Sequence, residues 1–223
     1  MEKNTVAAKD QFHGTPNTDF HNPYGKGVRV LFIGNSITLH GIYHEIGWHW
    51  RHGMAASSPE KDYVHIIMDR IKATDPDAAF CVCNVAKWEV GYKNGDSHFA
   101  ICDGAKAFGA DVIVMRFIEN VKKQEFDGCL FKSELKKLFD YIDPQHRAKV
   151  IMSTGFWKHP GDEFIREYAS ENSLPLVELG DLGQLDEMKA IGLFDHPGVA
   201  NHPGDLGMEA IAHRIWDVWK EYI

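Results

Sequence analysis

The stretch VLFIGNSITLHG, Val30 to Gly41, decides how the rest of the chain is read. Val30 to Ile33, with Val28 before them, form a continuous apolar run, the pattern of a strand covered on both faces. The run breaks at Gly34-Asn35-Ser36, a small-residue turn that carries a hydroxyl. In an open α/β sheet, ligands bind beyond the carboxyl ends of the strands. A serine just past a buried strand therefore stands where such a sheet does its chemistry.

Four further apolar runs follow at 78–86 (AAFCVCNVA), 111–118 (DVIVMRFI), 148–155 (AKVIMSTG) and, more weakly, 174–180 (LPLVELG). Between them, Val64, Ile67, Met68 and Ile71 repeat at helical spacing, as do Leu135, Leu138, Phe139 and Ile142. The C-terminal segment continues that spacing through Met208, Ile211, Ala212, Ile215, Val218, Trp219 and Tyr222, which read as helix packing. Strands alternating with helices predict an α/β fold, a parallel sheet of about five strands between two helical layers. Residues 1–27, polar and broken by Pro16, Pro23, Gly25 and Gly27, read as an irregular N-terminal arm. Residues 28–223 read as one α/β domain with an insertion at 37–60.

The 223 residues are 44% apolar and 25% charged, an ordinary globular composition. A net charge of −8 argues against nucleic acid, whose phosphates call for a basic face. No apolar run reaches the roughly 18 residues of a membrane span, so no membrane association is expected. The first residues show no apolar leader core, which leads to the expectation of a cytoplasmic protein. Cys81 and Cys83 alternate on a strand, and Cys102 and Cys129 complete a set without zinc-ligand spacing, so all four read as reduced thiols. The oligomeric state is not legible.

A serine hydroxyl attacks only when a base takes its proton and fixed donors hold the resulting oxyanion. Candidates for both follow at other strand ends. The third run closes with Arg116-Phe117-Ile118-Glu119-Asn120, which brings a side-chain amide toward the first strand. Asn201-His202-Pro203-Gly204-Asp205 runs into the last helix and supplies an imidazole. The Gly-Asn-Ser turn, Asn120 and the His-Pro-Gly-Asp block, in this order, resemble the SGNH (GDSL-type) hydrolases from about Val28 to the end. The resemblance implies a flavodoxin-like three-layer fold and a carboxylic ester hydrolase that needs no cofactor. It makes Ser36 the nucleophile, His202 the general base and then acid, and Asn120 with the Ser36 N–H the oxyanion donors. Two departures stand out. The turn Asn84-Val85-Ala86-Lys87-Trp88-Glu89 lacks the family's glycine donor, and Val199 occupies the place, three residues before the histidine, of the family's aspartate. The orienting partner of His202 stays open among Asp195, Asp205, Glu119 and a backbone carbonyl.

Around the serine, Asn35, Trp48, Trp88, Glu89 and Arg116 are candidate substrate-binding residues, and an Arg116–Glu119 ion pair is expected to stiffen the Asn120 turn. Bulky aromatics in the insertion (Tyr43, Trp48, Trp50) suit a saccharide ester, with removal of a small acyl group such as acetyl. The same residues equally suit packing of the insertion onto the domain. His44-Glu45 followed by His49 misses the zinc spacing HExxH by one residue, and no metal site is expected. Two alternatives remain: a lysophospholipase- or thioesterase-like acylhydrolase, and a catalytically silent carbohydrate-binding domain on the same fold.

Overall fold

The computed structural model describes residues 14–223, apart from the side chains at 96 and 97. Among the described residues six strands form one sheet: β1 (Thr18–His21), β2 (Arg29–Gly34), β3 (Ala79–Asn84), β4 (Val112–Arg116), β5 (Lys149–Ser153) and β6 (Leu176–Val177). Their order is β1-β3-β2-β4-β5-β6. Every neighbouring pair is parallel except β1 with β3. Without β1 the order is the flavodoxin-like one, and the chain's direction across the sheet reverses at β2, between β3 and β4. The crevice for a ligand therefore opens beyond the carboxyl ends of β2 and β4.

Among the described residues seven α-helices accompany the sheet: α1 (Tyr63–Lys72), α2 (Ala86–Gly91), α3 (Asp103–Phe108), α4 (Gly128–Ile142), α5 (Asp162–Glu171), α6 (Pro197–Ala200) and α7 (Asp205–Tyr222). Alternate residues of each strand feed two cores. Leu31, Ile33, Cys81, Cys83 and Met115 pack with the apolar stripes of α3, α4 and α5. Val30, Phe32, Phe80, Val82 and Val114 pack with α1 and α7. Each such side chain, hidden from water, contributes roughly 1.5–3 kcal/mol, which is why the central strands read so plainly in the sequence. Asp62 and Asp127 cap α1 and α4 by accepting the N–H groups of His65 and Leu130.

The arm differs from the expectation where it is described. Thr18–His21 is an edge strand, not irregular chain, and it covers the outer edge of β3. It is only four residues long and carries Asp19 and His21, so no periodicity betrays it. Arg51 of the insertion fixes it, with Nε 2.9 Å from both Asp19 carboxylate oxygens and a further bond to the Thr15 carbonyl. Residues 1–13 of that arm lie outside the described residues. The sixth strand is a two-residue remnant of the run at 174–180. Among the described residues no helix is long and apolar enough to cross a membrane. Cys81, Cys83 and Cys102 are buried thiols and Cys129 an exposed one.

Candidate active site

At the end of β2 the chain turns so tightly that only glycine fits: a Cβ on Gly34 would lie 2.0 Å from Thr38 Oγ1 and 2.4 Å from the Arg116 carbonyl. Asn35 then closes the turn, its carbonyl accepting the N–H groups of Thr38 and Leu39 at 2.9 and 3.0 Å. Asn35 and Ile37 are buried, as is the backbone around them, and Ser36 between them carries the hydroxyl at the mouth of the crevice. The Ser36 carbonyl accepts the Met54 N–H at 2.8 Å; among the described residues its own N–H meets no acceptor.

Ser36 Oγ lies 2.8 Å from His202 Nε2. The other ring nitrogen, Nδ1, is 2.7 Å from the Gly198 carbonyl. A carbonyl only accepts, so Nδ1 carries the hydrogen and Nε2 presents its lone pair to the serine. The loop that holds the ring is stitched on both sides of His202, by Ala190 N–H to the His202 carbonyl (2.9 Å) and Gly204 N–H to the Met188 carbonyl (3.0 Å). Trp157 meets the imidazole edge to face at 5.6 Å between ring centres. Desolvation, aided by nearby His40, pushes the His202 pKa down to about 4, so the ring is neutral at pH 7 although the residue remains partly exposed at the mouth of the site.

The orienting partner of His202 is therefore a backbone carbonyl, and none of the three candidate carboxylates. Asp205, at the start of α7, accepts from the N–H and hydroxyl of Ser57. Asp195 lies on the preceding loop, where it lines a cleft of about 580 Å³ with Glu45, His49 and Leu193 that includes neither Ser36 nor His202. Glu119 belongs to a buried cluster.

That cluster forms the other half of the site. Arg116, fully buried, places one guanidinium nitrogen 2.5 Å from Glu119 Oε1 and another 2.5 Å from Asn35 Oδ1. Asn35 Nδ2 donates to Glu119 Oε2 at 2.5 Å and to Glu89 Oε1 at 3.2 Å. Glu89 Oε2 takes the Asn120 amide at 2.7 Å. The expected Arg116–Glu119 pair is thus present, across the start of the turn that leads to Asn120. Burial opposes charge on Glu119, but the Arg116 guanidinium beside it keeps its pKa below the usual carboxylate value. Burial and the neighbouring Glu119 charge push Glu89 up to about 7.

The five candidate substrate contacts are all withdrawn from solvent. Asn35, Glu89 and Arg116 turn their polar atoms to one another, to Glu119 and to the turn after β4, beneath the site. Trp88 packs on Phe117 and Phe131 in the core, and Trp48 is covered by Trp50, His52 and Phe194. Of the insertion's aromatics, Tyr43 and Trp50 stay exposed. His44 and His49 do meet, Nδ1 to Nδ1 at 2.7 Å, because a Tyr43–Trp48 bridge folds the segment back on itself. Among the described residues no set of three or more His, Cys, Asp or Glu side chains is arranged to hold a metal. Trp157 and His40, aromatic neighbours of His202, have no signal in the sequence, since only the fold brings them there.

No protein-family model and no curated protein matches the chain. Solved structures do. A two-domain esterase (CEX) active on acetylated mannans, co-crystallised with mannopentaose, superposes on 90% of the chain with a TM-score of 0.56 at 17% identity. The match takes up 51% of that esterase, so the chain spans about half its length. The psychrotrophic esterase EstA from Pseudoalteromonas sp., in a form inhibited by monoethylphosphonate, matches 88% of the chain and 98% of its own, with a TM-score of 0.58 at 12% identity. The lipase/acylhydrolase from Enterococcus faecalis covers the same shares, with a TM-score of 0.54 at 16% identity. At these identities the likeness establishes the fold alone, one that these esterases and the acylhydrolase also have.

Proposed function

We propose that the protein is a serine ester hydrolase that works through an acyl-enzyme, and that it removes a small acyl group such as acetyl from a saccharide. The observation that carries the first half is the Ser36–His202 contact at 2.8 Å, with the imidazole tautomer set by Gly198. Neutral Nε2 takes the Ser36 proton as Oγ attacks the ester carbonyl. The oxyanion is met by the Ser36 N–H and the Asn120 amide. Nε2–H then protonates the departing alcohol oxygen, and the acyl group stays on Ser36. Water repeats the sequence, giving its proton to Nε2 and releasing the acid.

Gly198 performs the tautomer-setting task of a triad's aspartate but supplies only a dipole to the imidazolium. With its pKa at about 4, His202 is a weak base and a strong acid. That balance suits the step in which a poor leaving group, such as a sugar alkoxide, must be protonated. The saccharide half of the proposal draws on that balance, on exposed Tyr43 and Trp50 in the insertion, and on the activity of the similar two-domain esterase toward acetylated mannans.

The test compares wild type with Ser36→Ala on p-nitrophenyl acetate, p-nitrophenyl octanoate and an acetylated manno-oligosaccharide. The expected result is cleavage of both acetates with a kcat loss of at least about 10⁴-fold in the variant. Faster turnover of the octanoate would replace the saccharide with a lipid or thioester substrate. Equal rates for wild type and variant would overturn the serine mechanism.

A further inference from the structure

Glu89, the fourth residue of α2, has no surface exposed to solvent. Three hydrogen-bond donors converge on its carboxylate. Oε1 takes the Ile118 N–H at 2.5 Å and the Asn35 amide at 3.2 Å, and Oε2 takes the Asn120 amide at 2.7 Å. One side chain therefore joins the turn after β2, which presents Ser36, to the turn after β4, which presents Asn120. Ile118 between them sits at φ 131°, a conformation a β-branched residue adopts only when its surroundings hold it there. Glu89 supplies that hold from one side, and the bond from Val121 N–H to the Ile118 carbonyl supplies it from the other.

An acceptor-only carboxylate facing three donors fits the ionised form of the acid. A protonated Glu89 would bring a fourth hydrogen to the same place, and the softest contact to yield is a side-chain amide that can turn about its own axis. The Asn120 amide is such a contact. Its Nδ2 has two hydrogens, one engaged by Glu89 and one left over for an oxyanion.

We infer that Glu89 is a positioning residue: its ionised carboxylate holds the Asn120 amide with the second N–H directed at the substrate carbonyl oxygen that develops charge as Ser36 attacks, and protonation releases it. The inference rests on the serine hydrolase reading above. Glu119 and Arg116, both borne by β4 and the turn after it, are the charged groups facing Glu89. Tyr63 of α1 reaches the cluster by its charge interaction with Arg116, and Asn35 from the turn after β2 is uncharged. Burial and Glu119 raise the Glu89 pKa while the three donors lower it, and the balance of about 7 falls inside the working range. The carboxylate, and with it the hold on Asn120, is lost as pH drops through that value.

The experiment has two arms. In the first, the side-chain ¹⁵N–¹H signals of Asn120, assigned by their loss in Asn120→Ala, are followed with pH in the full chain. They should shift through a midpoint of about 7 in wild type and show no such inflection in Glu89→Gln. In the second, kinetics on p-nitrophenyl acetate should give Glu89→Gln a kcat roughly 10–100-fold lower with KM within about two-fold, a partial loss of an oxyanion donor. Wild-type kcat should fall in two steps, a partial one at about pH 7 and a complete one at about pH 4, of which the variant keeps only the second. Added to Asn120→Ala, Glu89→Gln should cost less than about two-fold more, because the two act as a unit. Asn120 signals without an inflection, or losses that multiply in the double variant, would overturn the inference. A chain without Ser36-dependent activity would sink the hydrolase reading alone, since the amide titration still decides whether Glu89 governs Asn120. Should Glu89→Gln fail to fold, the presence or absence of the wild-type inflection decides the same question.

Discussion

The two halves of the site are built in opposite ways. The reacting half, Ser36 and His202, lies at the mouth of the crevice and is joined by one contact, with one backbone carbonyl behind the histidine. The supporting half is a largely buried cluster in which Arg116, Glu119, Asn35, Glu89 and Asn120 interlock through six hydrogen bonds. Charge is brought into the cluster, where burial makes it costly, and is kept out of the histidine's partner. The difference separates two tasks: the cluster fixes where two strand-end turns lie, and the pair at the mouth moves a proton. Changes in one half should therefore alter rate, and changes in the other should alter rate through the fold.

The largest effect should follow from removing the base. His202→Ala should lower kcat by about 10⁴–10⁶-fold on any ester that wild type cleaves, as loss of a single member of a catalytic unit does. Its melting temperature should stay within about 3 °C of wild type, because the side chain is partly exposed and belongs to neither apolar core. The check is kcat and a thermal melt on the same preparation. A loss of many degrees would mean that the reacting half is also structural, and the contrast between the halves would collapse.

Arg116→Met should show the reverse order of damage. It leaves the Glu119 carboxylate buried without its cation, which costs about 3–5 kcal/mol and, for a chain of this size, about 10 °C in melting temperature. The pH dependence has a definite sign. The Glu119 pKa is held below its ordinary value by Arg116, so that contribution is present above the ordinary carboxylate range and lost as pH falls through the folded value. The deficit of Arg116→Met should accordingly be largest at neutral pH and shrink in acid, where an unpaired Glu119 protonates. Chemical denaturation at about pH 7 and at a pH below the ordinary carboxylate range, on either side of that loss, measures it. A deficit that does not change with pH would mean that the methionine merely packs badly and that the ion pair contributes little.

The contrast also explains what was readable beforehand. The central strands were legible because burial on both faces leaves an unbroken apolar run. Ser36 and Asn120 were legible as candidates because strand ends are where a parallel sheet exposes side chains, and His202 because it stands in the polar loop that leads into the last helix. The edge strand Thr18–His21 was not, since four residues with one face outward carry no period. Nor was the fate of Trp48 and Trp88: an aromatic beside an active-site serine looks the same in sequence whether it lines a pocket or fills a gap beneath it. Polar residues near strand ends misled for a related reason. Asn35, Glu89 and Arg116 have the chemistry of substrate contacts, but the fold turns them inward to one another, to Glu119 and to Asn120. Trp157 and His40 reach His202 only through tertiary placement. A carbonyl partner for His202 leaves no trace at all, because every residue has one.

The smallest expected effect concerns that carbonyl, and it sharpens the comparison most. If the reacting half needs no carboxylate, then Asp195→Asn and Asp205→Asn, the two acids that flank His202 in the chain, should each leave kcat/KM within about two-fold of wild type. Asp195 lines a neighbouring cleft, so its loss should leave stability untouched as well. Asp205 ties Ser57 to the first turn of α7 and sits at that helix's positive end, so its amide should cost about 0.5–1 kcal/mol of stability without a matching loss of rate. A triad aspartate replaced in this way lowers kcat by about 10⁴-fold, because the histidine then adopts the wrong tautomer. Here the tautomer is set by Gly198, whose carbonyl cannot be removed by changing a side chain. A drop approaching about 10⁴-fold in either variant would mean that the aspartate replaces the carbonyl during turnover and that His202 works as part of a triad after all.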